Sequence, residues 1–316
     1  MEVVEVNSET YAQAAGENAP VFASLNWLQI YQSTLKFFVI KENEEVLGGF
    51  FLMPGSKWGF NYYRLPPYTP NCGFFTKIDS KNQSVLQSKQ KQIIEAMAAF
   101  CADAKVGLIM LAMPLGITDM QPFIWRDFKV VPNYTYTIQL SETIESIIQG
   151  FDPKNRNMIN KAVKEQVVVI DNRQSGEELY DFFSTHLKAA GANVYEKELK
   201  SLLTSFTKTA NSFTLTAKKE DQIVGRVTCA YDRKTCYYLL GATEREPQGI
   251  NNLLVLKAIE KAKSLGCEVF DFEGSMLQGV EKFFRGFGGT MHPFFTMNKA
   301  SLPAELLLKF RKRHIF

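Results

Sequence analysis

Two periods of apolar spacing follow one another in a fixed order along the second half of the chain. Leu179, Phe182, Phe183 and Leu187 recur at helical spacing in GEELYDFFSTHLKAA (176–190), and Gly191 ends the run. A second helical stretch is predicted over 196–209. Strict alternation then takes over: SFTLTAKK, IVGRVTCAYD and TCYYLLGAT, parted by EDQ and RK, predict three antiparallel strands joined by tight turns. NNLLVLKAIEKAKSLG predicts a helix closed by Gly266, CEVFDFEG a strand, and HPFFTMN a last strand beyond a loop and a short helix. Ahead of this series, Asp152-Pro153 opens a helix that runs to Glu165, with a capping carboxylate followed by proline at the first helical position. VVVI (167–170) is a short strand.

The first half repeats that order of element types. EVVEV is a strand, SETYAQAA and SLNWLQIYQS are helical, and LKFFVIKE, EEVLGGFFLMP and a piece near FNYYRL give three strands. A long helix over QSVLQSKQKQIIEAMAAFCADAK, the strand VGLIMLAM, the short helix DMQPFIWRDF and the closing strand NYTYTIQL complete it. Residue identity between the halves is slight, so the repetition is one of architecture. The expectation is an α/β chain with mixed sheets, built as two domains of matching topology over 1–140 and 141–300. SLPAELLLKFRKRH adds an amphipathic basic helix over 301–316, laid back on the first domain.

Composition narrows the field. The chain has 316 residues, 46% of them hydrophobic and 13% aromatic, enough for two cores. The formal net charge of +3 calls for no polyanionic partner, although cations bunch at KNRNMINKAVK (154–164) and KFRKRH (309–314). Five cysteines without a CxxC, and three histidines without ligand spacing, point to reduced thiols and no metal. No apolar run has the roughly 18 residues of a membrane span, and MEVVEVNSET lacks the basic flank and apolar core of a signal peptide. A cytoplasmic protein is expected.

The candidate chemistry gathers in DFEGSMLQGVEKFFRGFGG (271–289). Strand periodicity puts Asp271 and Glu273 on one face and Phe270 and Phe272 on the other. Ligands in α/β folds gather at such strand ends. The two carboxylates either pair with Lys282 or Arg285, or meet a substrate amine as binder or base. Phe283, Phe284 and Phe287 read as core. Arg156 and Lys161 are candidate phosphate ligands or a solvated helix face. Tyr237 and Tyr238 offer one ring to the cleft, and Tyr62, Tyr63, Arg64 and Tyr68 stand in a proline-rich loop. Ser275 and Cys236 have no base beside them in sequence, so a covalent nucleophile is unsupported. Direct attack of a substrate amine on a bound acyl donor fits better, with the protein supplying orientation and dipoles for the oxyanion.

The element order, taken twice, resembles tandem GNAT acyltransferase domains of the Fem type. PFIWRDFKVVPNYTYTIQL (122–140), KNRNMINKA (154–162), YYRLPPYTPNCG (62–73) and FDFEGS with FFRGFGG carry the likeness. The resemblance implies transfer of an acyl or aminoacyl group onto an amine of a peptidoglycan precursor. No cofactor is tightly bound, and aminoacyl-tRNA or acyl-CoA serves as donor co-substrate. It implies a nucleotide-linked acceptor near Lys36, a tRNA partner, and a donor-phosphate turn at Gln248, Gly249 and Asn251. The basic C-terminal helix gives only modest attraction to an anionic membrane surface. Two departures weaken parts of this. The family's lysine before the final glycine-phenylalanine-glycine is replaced, one place later, by Arg285, which stays protonated and cannot act as a base. The family's helical arm is absent between Tyr195 and Ser212, which takes support from a tRNA role. Two rival readings follow: an acetyl-CoA-dependent N-acetyltransferase, and a ligand-binding relative without chemistry.

Overall fold

A computed structural model describes every residue except 18, 32, 33, 58, 172–174, 275 and 312–316. Ser275 and, of the 309–314 basic run, Lys312, Arg313 and His314 therefore lie outside the described residues. The chain forms two compact units, one of Met1–Asn133 with Pro293–Phe316, the other Tyr134–His292.

The elements run in this order. First come β1 (Glu2–Val6), α1 (Ser8–Ala15), α2 (Leu25–Leu28), β2 (Lys36–Glu42), β3 (Glu45–Lys57), β4 (Phe60–Arg64) and β5 (Phe75–Thr76). Next are α3 (Gln83–Asp103), β6 (Leu108–Ala112), α4 (Gln121–Ile124) and β7 (Lys129–Gln139). Then follow α5 (Ile144–Gln149), α6 (Pro153–Lys164), β8 (Val168–Asp171), α7 (Gly176–Ala189), α8 (Glu196–Thr204), β9 (Ser212–Lys219), β10 (Gln222–Tyr231) and β11 (Thr235–Thr243). The series ends with α9 (Ile250–Ser264), β12 (Val269–Asp271), α10 (Gln278–Arg285), β13 (Thr290–Ala300) and α11 (Leu302–Arg311).

In the first unit β1, β2, β3 and β4 pair antiparallel in succession, and β4 lies parallel to β6. The second unit repeats this: β8, β9, β10 and β11 are antiparallel neighbours, and β11 lies parallel to β12. The closing strands differ from expectation. The sequence predicts that NYTYTIQL (133–140) closes the first half and HPFFTMN (292–298) the second. Instead β6 pairs with β13, Thr296 opposite Ala112, and β12 pairs with β7, Asp271 opposite Thr137. β7 and β13 thus pass through both units, and the chain divides after Asn133 and after His292 rather than after 140 and 300. Both strands carry the same alternation, so local pattern does not specify which neighbour each one joins.

Each unit has its own core. In the first, Phe38, Phe50, Phe74 and Phe123 pack with Ile93, Ile94 and Met97 of α3. In the second, Phe270, Phe272, Phe284 and Phe287 join Leu253, Leu254 and Ile259 of α9. Fully burying one such side chain contributes about 1.5–3 kcal/mol. α9 and α7 cover opposite faces of the second sheet. A side chain at Gly225 would point at Ile250 and Leu254, whereas the next residue, Arg226, points at Glu178 and Phe182 of α7.

Candidate active site

The second unit opens where two parallel strands part. β11 and β12 pair over only three residues each, Thr235–Tyr237 against Val269–Asp271. β11 continues to Thr243, but β12 stops. From there the chain follows β7 instead: the Phe272 N–H donates to the Tyr136 carbonyl at 3.0 Å. Glu273 and Gly274 both take left-handed backbone, φ 59° and 65°. A Cβ at Gly274 would stand 2.2 Å from the Tyr134 carbonyl oxygen, so only glycine turns so close to β7. β11 beyond Tyr237 is left without a strand on that side among the described residues. On the core face the rings of Tyr238, Phe272 and Phe284 fill this wedge, with centroids 4.9–6.5 Å apart.

The two acids have different surroundings. Asp271 is buried, and its Oδ1 accepts from the Thr135 hydroxyl at 2.6 Å and from the Glu273 N–H at 2.8 Å. Burial raises its pKa, opposed by those two bonds and by His292. The Asp271 carboxylate is thereby spent on closing a turn and holding β7. Glu273 keeps partial access to solvent. Among the described residues no donor meets its carboxylate. Burial, and then the Asp271 charge, push its pKa well above the ordinary carboxylate range. Tyr237, opposite Asp271, has its hydroxyl pKa raised as well, chiefly by burial and then by Asp232, Glu273 and Asp271.

A second group of predicted residues meets at the start of α9. Gly249 caps that helix with φ 88°, and a Cβ there would stand 2.0 Å from the Met158 carbonyl oxygen of α6. The close approach sets Lys161 of α6 beside Gln248, Nζ to Oε1 3.0 Å. The Tyr238 hydroxyl lies 3.4 Å from Asn251 Oδ1. Lys161, Tyr238, Gln248, Gly249 and Asn251 therefore surround one helix N-terminus, whose free N–H groups and dipole favour an anion.

The remaining candidates lie apart from these groups. Arg285 is exposed and bonds Glu281 at 2.9 Å, and Glu281 accepts from Tyr136 Oη at 2.7 Å. The expected ion pairs between Arg285 or Lys282 and the two acids do not form. Lys282 and Arg285 are both exposed on their helix, and Asp271 turns toward β7, where it accepts from Thr135. Arg156 donates to the carbonyls of Gln149, the last residue of α5, and of Phe151 just beyond it. Lys36 and Tyr68 belong to the first unit. Lys36 is paired with Glu5 at 3.0 Å, and Tyr68 stands in left-handed backbone at φ 61°. Sequence reasoning missed Thr135 and Arg226. Alternation along β7 was the available signal for the first. An arginine amid apolar strand positions was the signal for the second.

Residues 154–285 match the acetyltransferase (GNAT) domain family. The solved structure of FemX superposes with a TM-score of 0.69 at 10% identity, over 98% of this chain and 100% of that one. The chain has a FemX-like tandem GNAT fold. Its second unit carries an acyltransferase domain. The C-terminal domain of a putative lysylphosphatidylglycerol synthetase from Agrobacterium fabrum is also similar, with a TM-score of 0.60 and 11% identity over 96% of each chain. So is a tandem GNAT protein from the clavulanic acid biosynthesis pathway, at 0.53 and 10% over 95% of this chain and 98% of that one. A search of curated proteins found no match. Among the described residues no helix is long and apolar enough to cross a membrane.

Proposed function

We propose that the second unit joins an activated acyl or aminoacyl group to the amine of a cell-envelope precursor or a related small acceptor, in the cytoplasm. The carrying observation is Glu273, an acid without a hydrogen-bond donor among the described residues, at the mouth of the wedge between β11 and β12 and with a raised pKa. In this scheme the acceptor arrives as an ammonium ion and Glu273 takes one of its protons. The freed lone pair attacks the donor carbonyl. A C–N bond forms, the carbonyl oxygen becomes an oxyanion beside the open edge of β11, and the C–S or C–O bond to the donor breaks. The attacking nitrogen gives its second proton to the leaving sulfur or oxygen, and Glu273 returns the first proton to solvent. Asp271 fixes the turn that aims Glu273, and Arg285 takes no part.

The start of α9, with Lys161, Gln248 and Asn251, suits a donor's phosphate, whether of acyl-CoA or of a charged tRNA. The left-handed Gly249 supports the second reading, an acetyl-CoA-dependent N-acetyltransferase, because it brings backbone N–H groups into the open at a helix start. Turnover measurements with acetyl-CoA and with charged tRNA, each on a nucleotide-linked muropeptide, distinguish the donors. Product from either donor that disappears in Glu273→Gln supports the scheme. Product formed undiminished by Glu273→Gln removes Glu273 as base. No product from either donor, with the acceptor still bound, favours a binding protein that has lost chemistry.

A further inference from the structure

Arg226 of β10 is 2% exposed and points toward α7. Its guanidinium carbon stands 5.0 Å from the centroid of the Phe182 ring, and one Nη donates to the Glu178 carbonyl at 2.7 Å. Among the described residues its Nε has no acceptor. Among the described residues no carboxylate comes within ion-pair distance. Glu178 is exposed and favours the charge only from afar, while burial lowers the pKa of Arg226. His186, stacked on Phe182, and Glu244 are paired with each other at 3.2 Å. A buried cation without a counter-charge destabilises a fold, and an apolar side chain would pack there better. The guanidinium fork fits the two oxygens of a carboxylate or phosphate.

Strand register ties this residue to the acids. On β10, Arg226, Thr228 and Ala230 share a face. Ala230 lies opposite Tyr237, Tyr237 opposite Asp271, and Asp271 opposite Thr137. Paired residues share a face, so Arg226, Thr228, Tyr237, Asp271 and Thr137 belong to one side of the sheet. Thr228 is hydrogen-bonded to Thr214 at 2.9 Å, which continues the polar strip across β9. This is the side away from α9 and its phosphate-suited turn. Four residues along a strand and two strands across put Arg226 roughly 15 Å from Asp271.

We propose that Arg226 holds an oxyanion, a carboxylate or a phosphate, of the acceptor whose amine reaches Glu273. The acceptor is then an extended molecule with its amine and its anion roughly 15 Å apart. The amine half rests on the acyl-transfer reading; the anion half stands on Arg226 alone. The test is thermal shift of the full chain with three probes: inorganic phosphate, acetyl-Ala-Ala with a free carboxylate, and acetyl-Ala-Ala amide. Wild type and Lys161→Met, which lacks the cation of the α9 phosphate turn, are each compared with their Arg226→Met and Arg226→Lys forms.

Without ligand, Arg226→Met is expected to melt at or above wild type. The free dipeptide in wild type, and phosphate in the Lys161→Met background that removes the cation of the α9 phosphate turn, should each stabilise the protein, with apparent affinity at least ten-fold weaker when Arg226→Met is added and intermediate with Arg226→Lys. The amide should do nothing. Stabilisation by phosphate alone or by the dipeptide alone assigns the anion. The proposal fails if neither the dipeptide in wild type nor phosphate in the Lys161→Met background gives a shift, or if that shift is equal when Arg226→Met is added. Should Arg226→Met not fold, undiminished anion binding in Arg226→Lys, which lacks the fork, overturns it. Arg226-dependent anion binding without any acyl transfer would count against the acyl-transfer reading only.

Discussion

At residue scale, Asp271 and Glu273 differ in what their oxygens already hold. Asp271 accepts two hydrogen bonds, and Glu273 accepts none among the described residues. Asparagine at 271 keeps an acceptor oxygen for Thr135 and for the 273 N–H, whereas alanine removes it. Asp271→Asn should therefore lose less than about ten-fold in kcat and Asp271→Ala more than about a hundred-fold, through a displaced Glu273. Equal losses in the two variants would mean that the charge of Asp271 itself takes part. For Glu273→Gln the expected loss is about 10²- to 10⁴-fold, the usual contribution of a positioned base. The wild-type kcat/KM should rise with pH through the raised Glu273 pKa, since only the ionised carboxylate can accept a proton.

Stability runs the other way, because the fold prefers this acid protonated. Its stabilising contribution is complete below about 4.3, the ordinary glutamate value, and is lost as pH rises through the raised one. Melting curves should show Glu273→Gln more stable than wild type at pH 8 and equal to it near pH 4. Equal stability at both values would mean that burial does not disfavour the charge.

At the scale of elements, much of the second unit was legible. Helix spacing marked α7 and α9, and alternation marked β9 to β11. The glutamine-glycine pair marked the turn before α9. Its geometry was not legible, because the reason for glycine at 249 is a carbonyl of α6, some ninety residues earlier in the chain. Gly249→Ala would force a left-handed alanine against that oxygen, at a cost of about 1–3 kcal/mol for the backbone alone. A lower melting temperature and a raised KM for the donor are expected; an unchanged KM would separate this turn from donor binding. The pairing of Arg285 with Glu281 was hidden for a related reason. Both acids and both cations lie within fifteen residues, and charge spacing alone cannot say which of them meet. In the first unit α11 is tied to β7 through Glu305, which pairs with Lys129 and Lys309 at 2.8 Å each and is held near a pKa of about 2. A carboxylate held low contributes its stability above the ordinary value and loses it as pH falls toward 2. Amide protection over 302–309, taken relative to the intrinsic exchange rate at each pH, should fall several-fold in Glu305→Gln at pH 7, and that of wild type should approach the same value on acidification.

At the scale of the molecule, repetition of element order was readable because each half needs the same sequence of strand and helix periods to cover a sheet. The exchange of closing strands was not. NYTYTIQL and the FTMN end of HPFFTMN both alternate apolar and polar positions, and either could lie antiparallel beside β6 or β12. Their observed partners, β13 on β6 and β7 on β12, join residues about 190 and 130 positions apart in the chain. Such long-range pairs form late in folding, since loop closure must precede them. The exchange gives a prediction about cutting the chain. A fragment of residues 1–140 lacks the strand that closes its sheet at β6, and a fragment of 141–316 lacks the strand that covers β12. Each would expose an unpaired strand edge, which templates association with other chains. Produced separately, the fragments should aggregate or melt without cooperativity. Refolded together, they should recover one cooperative transition and, if the acyl-transfer scheme holds, the turnover of the intact chain. A 1–140 fragment that stays monomeric and melts cooperatively by itself would show that β7 can return to β6. The exchange would then be one of two accessible pairings and not a requirement of the fold.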